Sequence, residues 1–489
     1  MTILPLILAL PLVGALIVSL LPSEDHDDVR GASMVATVVT FIVSLVLWSR
    51  FDASEPGFQF AWSMDWIPLI HSRFSLAIDG LSLLLIVLTT FLLPLTILGS
   101  WSAVTTRVKE FHVCLLLLEA SMLAVLCVRD VLVFYVFWEA MLVPMFLLIG
   151  IWGSEDRLKA TIKFFLYTAA GSLMMLAAIV YVYNVAGSFD MEAMATAASG
   201  LSTREQTWLA LAFGLAFAIK VPLFPFHTWL PHAHVQAPAA GSVQLAAVML
   251  KMGGYGFLRL ALPFFPEGIR ELALPVCCMA ATGVIYGSLM ALAQSDLKRL
   301  IAYSSVAHLA LVVLGLFSLN EIGFTGAVYQ MLAHGLSTGA LFLMVGMLYE
   351  RRHTRDIAEY GGLAASAPWL TAAFIGATMA SIAVPGTAGF VGEFMILIGA
   401  FQASPWHAVF GAFGVVLGAA YMLWLVRRVF FGPLELAENR ELEDLNLREA
   451  VVLIPLLGMM LVMGVLPGPF LKLLEGSLEP LVKLYAAGG

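Results

Sequence analysis

Runs of about 20 consecutive apolar residues, each long enough as a helix to cross a hydrocarbon core of roughly 30 Å, recur along almost the whole chain and constrain its fold more than any other feature. Within such a layer the backbone must satisfy its own polar groups, so helices are what these runs form. Composition agrees, with 61% of the 489 residues hydrophobic and 12% charged, about half the charged share of an ordinary soluble domain. Hydropathy predicts spans near 2–21, 31–50, 78–100, 110–128, 131–151, 161–185, 207–230, 241–262, 272–292, 300–318, 323–349, 368–402, 407–431 and 449–467. The expectation is an all-α polytopic membrane protein of about fourteen transmembrane helices, with no stretch left for a sizeable soluble domain. The seventh span holds Pro222 and Pro225 and the twelfth Pro385, Gly386 and Gly389, so both are predicted to be broken helices.

Loops after odd-numbered spans carry 15 of the 25 lysines and arginines, whereas loops after even-numbered spans and the C-terminal tail carry 7. The positive-inside bias therefore predicts both termini on the non-cytoplasmic side. The first run, Ile3 to Leu21, lacks a basic leading region and a cleavage site and reads as a retained helix. The net charge of -8 comes with no basic stripe, which excludes nucleic-acid binding as a reading. Cys114, Cys127, Cys277 and Cys278 lie inside apolar runs without metal-ligand spacing and read as small hydrophobes. No glycine fingerprint, P-loop, cluster cysteine set or haem-type histidine pair is present in the sequence, so no redox chemistry is expected of the chain itself.

The string Ile219-Lys220-Val221-Pro222 in span seven is echoed by Ile382-Ala383-Val384-Pro385 in span twelve. An offset of five spans implies two inverted five-helix repeats, because an odd number of crossings starts the second copy on the opposite side. The predicted organisation is three N-terminal helices in 1–105, a first repeat in 106–262, a second inverted repeat in 263–431, and a loop with a C-terminal helix in 432–489.

Charged side chains at mid-helix cost roughly 2.5 to 3.5 kcal/mol each, so a chain that keeps several has a use for them. Glu139 in span five, Lys220 at the break of span seven, Lys251 midway along span eight and Glu393 in the second half of span twelve stand out. As protonatable groups near the midplane they form a candidate proton relay, in which the distance between Glu139 and Lys220 governs whether Lys220 holds its proton. The plainer alternative is a fixed ion pair that joins two helices. His308 and His334, in adjacent apolar spans, are candidates to bridge Lys251 to Glu393, the alternative being hydrogen-bonded core residues. His227, His232 and His234 raise a metal question that their spacing answers poorly. Arg259 reads as a side chain snorkelling to the interface, and Glu119 as either part of the path or a helix contact.

Four strings carry a resemblance: Phe137-Trp138-Glu139-Ala140-Met141-Leu142-Val143-Pro144-Met145, Pro225-Phe226-His227-Thr228-Trp229-Leu230-Pro231 through Gly254-Tyr255-Gly256, Ile301-Ala302-Tyr303-Ser304-Ser305-Val306-Ala307-His308, and Gly386-Thr387-Ala388-Gly389-Phe390-Val391-Gly392-Glu393-Phe394. From about residue 75 to 430 the chain resembles the M-type antiporter-like subunits of bacterial NADH-quinone oxidoreductase, respiratory complex I. The resemblance implies a fourteen-helix, non-redox subunit of a proton-translocating enzyme in the bacterial inner membrane. It also implies partners in the membrane arm, especially the L and N type subunits, with no cofactor on this chain and NADH, FMN, iron-sulfur clusters and quinone on other subunits. By family motif Glu139 and Lys220 are the modulating pair, Lys251 the central lysine and Glu393 the terminal acid. The family's usual acid after Trp-Leu-Pro is here His232, and its frequent glutamate further on is Gln236. Subunits of a multi-protein sodium/proton antiporter or of a membrane-bound hydrogenase share the scaffold and form the alternative.

Overall fold

The computed structural model describes residues 3–486. Among the described residues twelve helices are long and apolar enough to cross a membrane. Three of them, Ala239–Phe264, Leu297–Leu316 and Glu321–Arg352, form the central wall, each with 94% of its apolar stretch buried. The outer helices, such as His26–Arg50 and Arg157–Ala186, bury only 28% and 39% of theirs. Their exposed residues, Leu158, Ile162 and Leu166 among them, suit a lipid or subunit neighbour better than water.

The two spans predicted to be broken are broken. Thr203–Lys220 is followed by a turn and then Trp229–Gln236, and Pro368–Ser381 by a turn and then Ala388–Ala403. Both breaks use the same device: a residue with positive φ (Pro222, 27°; Ala383, 57°) and a bond closing back over it, from Leu223 N to Ala218 O at 2.8 Å and from Val384 N to Met379 O at 3.0 Å. Equivalent residues at the breaks therefore lie 161 positions apart (223 and 384) rather than the 163 of the sequence echo (222 and 385). Lys220 corresponds to Ser381 and His232 to Glu393. The echoed strings are out of register by two, because the shared feature is a backbone turn that several residue types can make.

A second correspondence lies at the helix starts. Asp130 accepts from Leu132 N and Val133 N and caps the Val131–Ala140 helix, while Asp296 accepts from Arg299 N and caps Leu297–Leu316. Each pairs as an isolated antiparallel bridge with a second capping aspartate, Asp130 with Asp190 and Asp296 with Asp356. The bonds match too, Val131 N to Phe189 O with Leu297 N to Arg355 O, and Met191 N to Arg129 O with Ile357 N to Ser295 O. The short polar side chain satisfies orphan N–H groups at each start. An odd number of crossings separates the two bridges, so they sit at opposite ends of the bundle.

The expected all-helical chain carries one addition. Gln59–Ile67 and Ser72–Ile78 form an antiparallel hairpin with Trp62 opposite Leu76 and Met64 opposite Phe74. His71, in the left-handed region at φ 53°, makes the turn. Asp130 holds the hairpin to the bundle, its Oδ2 accepting from Arg73 N at 2.9 Å and Ser72 Oγ at 3.0 Å. A further helix, Gly468–Ala486, runs on from the last predicted span and packs Phe470, Leu473, Leu474 and Tyr485 against the hairpin end. Its backbone comes so close at Leu473 that only glycine fits at position 80.

Candidate functional site

Lys251, itself fully buried, sits in the middle of the Ala239–Phe264 helix between two wider-wound segments, Leu245–Met249 and Phe257–Ala261. Such π-type turns redirect carbonyls that an α-helix would keep for itself, and Lys251 Nζ donates to one of these, Ala246 O, at 2.5 Å. Its other neighbour is His334 Nδ1 at 2.7 Å. The ring of His334 lies 5.6 Å, centroid to centroid, from that of His308. His308 Nδ1 is 2.8 Å from Glu393 Oε1. Four of the six sequence candidates thus form one line, Lys251, His334, His308 and Glu393, spanning four helices through the central wall.

Two residues that the sequence did not single out complete this line. Gln330 Nε2 donates to Glu393 Oε1 at 2.9 Å, and the Tyr421 hydroxyl lies 3.4 Å from His308 Nε2. Gln330 stands one turn before His334 on the same helix, a spacing that points both side chains to one face. Tyr421 carried no such signal, since an aromatic in an apolar helix is ordinarily core.

Glu139 and Lys220 are arranged differently. Lys220 is 2% exposed, yet its Nζ has no hydrogen-bond partner, and Glu139 Oε1 is likewise unpartnered. The Lys220 ammonium faces the ring of Trp138 at 5.0 Å. The fixed ion pair of the plainer reading is not formed among the described residues. Lys220 ends its half-helix against the Lys251 turn: a Cβ at Gly253 would lie 2.8 Å from Phe217 O and would collide with Val221.

The three histidines near the seventh break have separate surroundings. His227 packs against Phe224 and Tyr286, His232 has Nδ1 3.5 Å from Lys163 Nζ, and His234 is stacked on Phe342 at 4.7 Å with both ring nitrogens unpartnered. Glu119 is fully buried with neither oxygen bonded. Arg259 corrects its sequence reading. It does not snorkel, because its side chain is 11% exposed and its Nη2 is 2.7 Å from Asp79 Oδ1. The carboxylate lies on a helix start distant in sequence, so the pairing left no local trace.

The geometry places four titratable groups in a row through the buried core, hydrogen-bonded at the Lys251–His334 and His308–Glu393 steps and in ring contact between the two histidines, and ionisable residues inside a membrane bundle mark candidate ion or proton paths. Comparison with known proteins identifies the family. The family described as NADH:quinone oxidoreductase/Mrp antiporter, transmembrane, matches residues 128–418. NADH-quinone oxidoreductase subunit M of Rhodobacter capsulatus is 48% identical over 99% of this chain and 97% of its own length. NADH-ubiquinone oxidoreductase chain 4 of Arabidopsis thaliana is 46% identical over 97% and 95%. A chain of respiratory complex I from Thermus thermophilus with bound NADH superposes with a TM-score of 0.91 at 34% identity, covering all of both chains. A chain of an archaeal membrane-bound sulfane sulfur reductase shares the fold with a TM-score of 0.87 at 23% identity over 97% of this chain and 77% of its own.

Proposed function

The chain belongs to the NADH:quinone oxidoreductase/Mrp antiporter family of membrane subunits, and from that premise we propose that it moves protons across the membrane arm of complex I through the line from Lys251 to Glu393. It is an antiporter-like subunit of NADH-quinone oxidoreductase, a multi-pass membrane protein that works beside other membrane-arm subunits. The full-length match to M subunits favours this over the related antiporter and hydrogenase assignments.

The observation that carries the mechanism is the contact series Lys251 Nζ to His334 Nδ1, His334 ring to His308 ring, and His308 Nδ1 to Glu393 Oε1. Lys251 gives its proton to His334 Nδ1, His334 gives up the proton of its unpartnered Nε2 to His308 once a ring rotation brings two nitrogens within hydrogen-bond reach, and His308 delivers its Nδ1 proton to the Glu393 carboxylate. Gln330 and Tyr421 hold Glu393 and His308 in register for that transfer. Lys220 loads Lys251 from the first repeat. With no partner at 4 Å, its proton affinity follows how near Glu139 is brought by a neighbouring subunit, the opposite charge favouring the protonated amine. Moving one proton against 100 mV costs roughly 2.3 kcal/mol, within the range by which a buried ion pair shifts an amine. Electron transfer from NADH to quinone, with its FMN and iron-sulfur clusters, belongs to other subunits, and the L and N type subunits are the proposed lateral neighbours. The 15 to 7 loop bias supports both termini on the non-cytoplasmic side of the bacterial inner membrane. The matched aspartate bridges and matched breaks support two inverted repeats, 106–262 and 263–431.

Proton pumping and quinone reduction measured together in sealed vesicles, with Lys251→Ala assembled in the whole complex, test the relay. Both rates are expected to fall together to a small fraction of wild type. Retention of both at the wild-type ratio overturns the reading and leaves the buried charges as helix contacts.

A further inference from the structure

The acid that ends the lateral line is held by an amide that uses only one of its two ends. Among the described residues the hydrogen bonds of Glu393 fall on a single oxygen: Oε1 accepts from Gln330 Nε2 at 2.9 Å and lies 2.8 Å from His308 Nδ1. Glu393 and Gln330 are 3% and 2% exposed. The other end of the amide, Gln330 Oε1, is buried with no partner. It rests on Gly392, where a Cβ would come within 2.7 Å of Gln330 Oε1 and 2.8 Å of Gln330 Cα, so a glycine at 392 is what leaves the amide its place. A buried acceptor without a hydrogen is a cost that calls for an explanation.

We propose that Gln330 is a positioning residue whose amide turns with the protonation of Glu393 and so holds a delivered proton on the acid. The inference rests on the proton line proposed above and concerns its last step. An ionised carboxylate only accepts, and both contacts on Oε1 suit that state, with His308 Nδ1–H and Gln330 Nε2–H donating. When His308 takes a proton at Nε2 and passes its Nδ1 hydrogen to Glu393 Oε1, the imidazole is left neutral and Nδ1 becomes an acceptor. The new carboxyl O–H then needs an acceptor of its own. While Gln330 presents Nε2, the nearest one is the His308 nitrogen that the proton has just left, and the proton returns. A half-turn about the last torsion of Gln330, a broad and roughly two-fold one, exchanges two ends of similar size within the space they already fill. Oε1 then accepts the carboxyl hydrogen, and Nε2 takes the unpartnered place beside Gly392. Each protonation state of the acid thus satisfies one end of the amide and leaves the other bare, and the proton on Glu393 decides which orientation is lower in energy. The rival acceptor is a water in the cavity of about 10 Å³ bordered by His308, Glu393, Gly418 and Tyr421, a volume near the least that admits one.

The test uses the intact complex in sealed vesicles and has two readouts, the carboxyl C=O band in infrared difference spectra and the proton-to-electron ratio against a rising opposing potential. The band is assigned to Glu393 by its loss in Glu393→Gln. Gln330→Met keeps length and burial without either polar end. Its band is expected to shift to higher frequency, because the carboxyl hydrogen has lost its acceptor. Its ratio is expected to match the wild type at low opposing potential and to fall below it as the potential rises, because a proton driven back meets nothing that holds it. Gln330→Asn keeps an amide but draws it back by one methylene, and the same shift and the same fall under load are expected of it. Gly392→Ala, which fills the place of the bare end, is expected to lower the ratio under load as well. A merely structural role lowers assembly or rate and moves neither the band nor the load dependence. A band that stays in place in Gln330→Met, the carboxyl hydrogen then going to water in the small cavity, or a ratio that holds at every potential, overturns the proposal. If Gln330→Met does not assemble, either result in Gln330→Asn overturns it equally. Failure of the proton line itself reads out separately, as Glu393→Gln losing no carboxyl band and pumping at the wild-type ratio.

Discussion

Lys220 and Glu139 each keep a polar atom in the protein interior with nothing bonded to it. A buried polar group left unsatisfied costs about 1–3 kcal/mol, which for Lys220 the face of Trp138 at 5.0 Å offsets only in part. Replacing Lys220 by Met, similar in length and apolar, is therefore expected to leave the thermal inactivation temperature of the complex unchanged or raised. Pumping is expected to collapse. A Lys220→Met complex that is less stable yet still pumps identifies the residue as a structural contact after all. Lys251 differs, since it spends its hydrogens on Ala246 O and His334, and its loss leaves two buried acceptors without that donor. Both effects, lower stability and lost pumping, are expected of Lys251→Ala.

At the scale of elements, the site depends on how closely the first half-helix approaches the lysine helix. Gly253 and Gly256 allow it: a side chain at 256 would enter the Phe217 ring, and one at 253 would press on Val221 and the Phe217 carbonyl. Overpacking a tight interior costs typically 1–3 kcal/mol. Gly253→Ala is thus expected to lower thermal stability by that order and, by pushing Lys220 away, to reduce the proton-to-electron ratio. An unchanged ratio in a stable Gly253→Ala complex shows that Lys220 and Lys251 do not exchange protons through this contact. The widened turns on either side of Lys251 belong to the same device, because a regular α-helix has no spare carbonyl at Ala246 to orient the amine.

At the scale of the molecule, the hairpin end is tied together by parts far apart in sequence. Tyr485 donates its hydroxyl to Leu262 O at 2.9 Å, Arg270 reaches Leu484 O and Tyr485 O, and Gly80 lies against Leu473. Ending the chain after residue 467 removes these ties beside Arg259 and Asp79. The expected result is a lower yield of assembled complex on native gels, with the loss recovered by supplying the full-length chain in trans. A normal yield assigns the Gly468–Ala486 helix a role outside assembly.

The sequence by itself determined the solvent, the existence of the spans, and which residues are out of place in them. Hydropathy is a sum over neighbouring residues, and proline and glycine break helices wherever they fall, so Pro222 and Pro385 marked the breaks and Glu139, Lys220, Lys251 and Glu393 stood out against an apolar background. The tertiary structure alone decided partnership and direction. Which of two histidines meets Lys251, that Glu139 and Lys220 stand unpaired, that His232 rather than its echo partner corresponds to Glu393, and that Arg259 turns inward to Asp79 all depend on the rotation of one helix about its axis relative to another. That rotation is set by packing against residues about eighty or more positions away, and no local pattern encodes it. The Gln59–Ile78 hairpin was missed for a related reason, since its strands are stabilised by docking on Val128 and Asp130 more than by their own alternation.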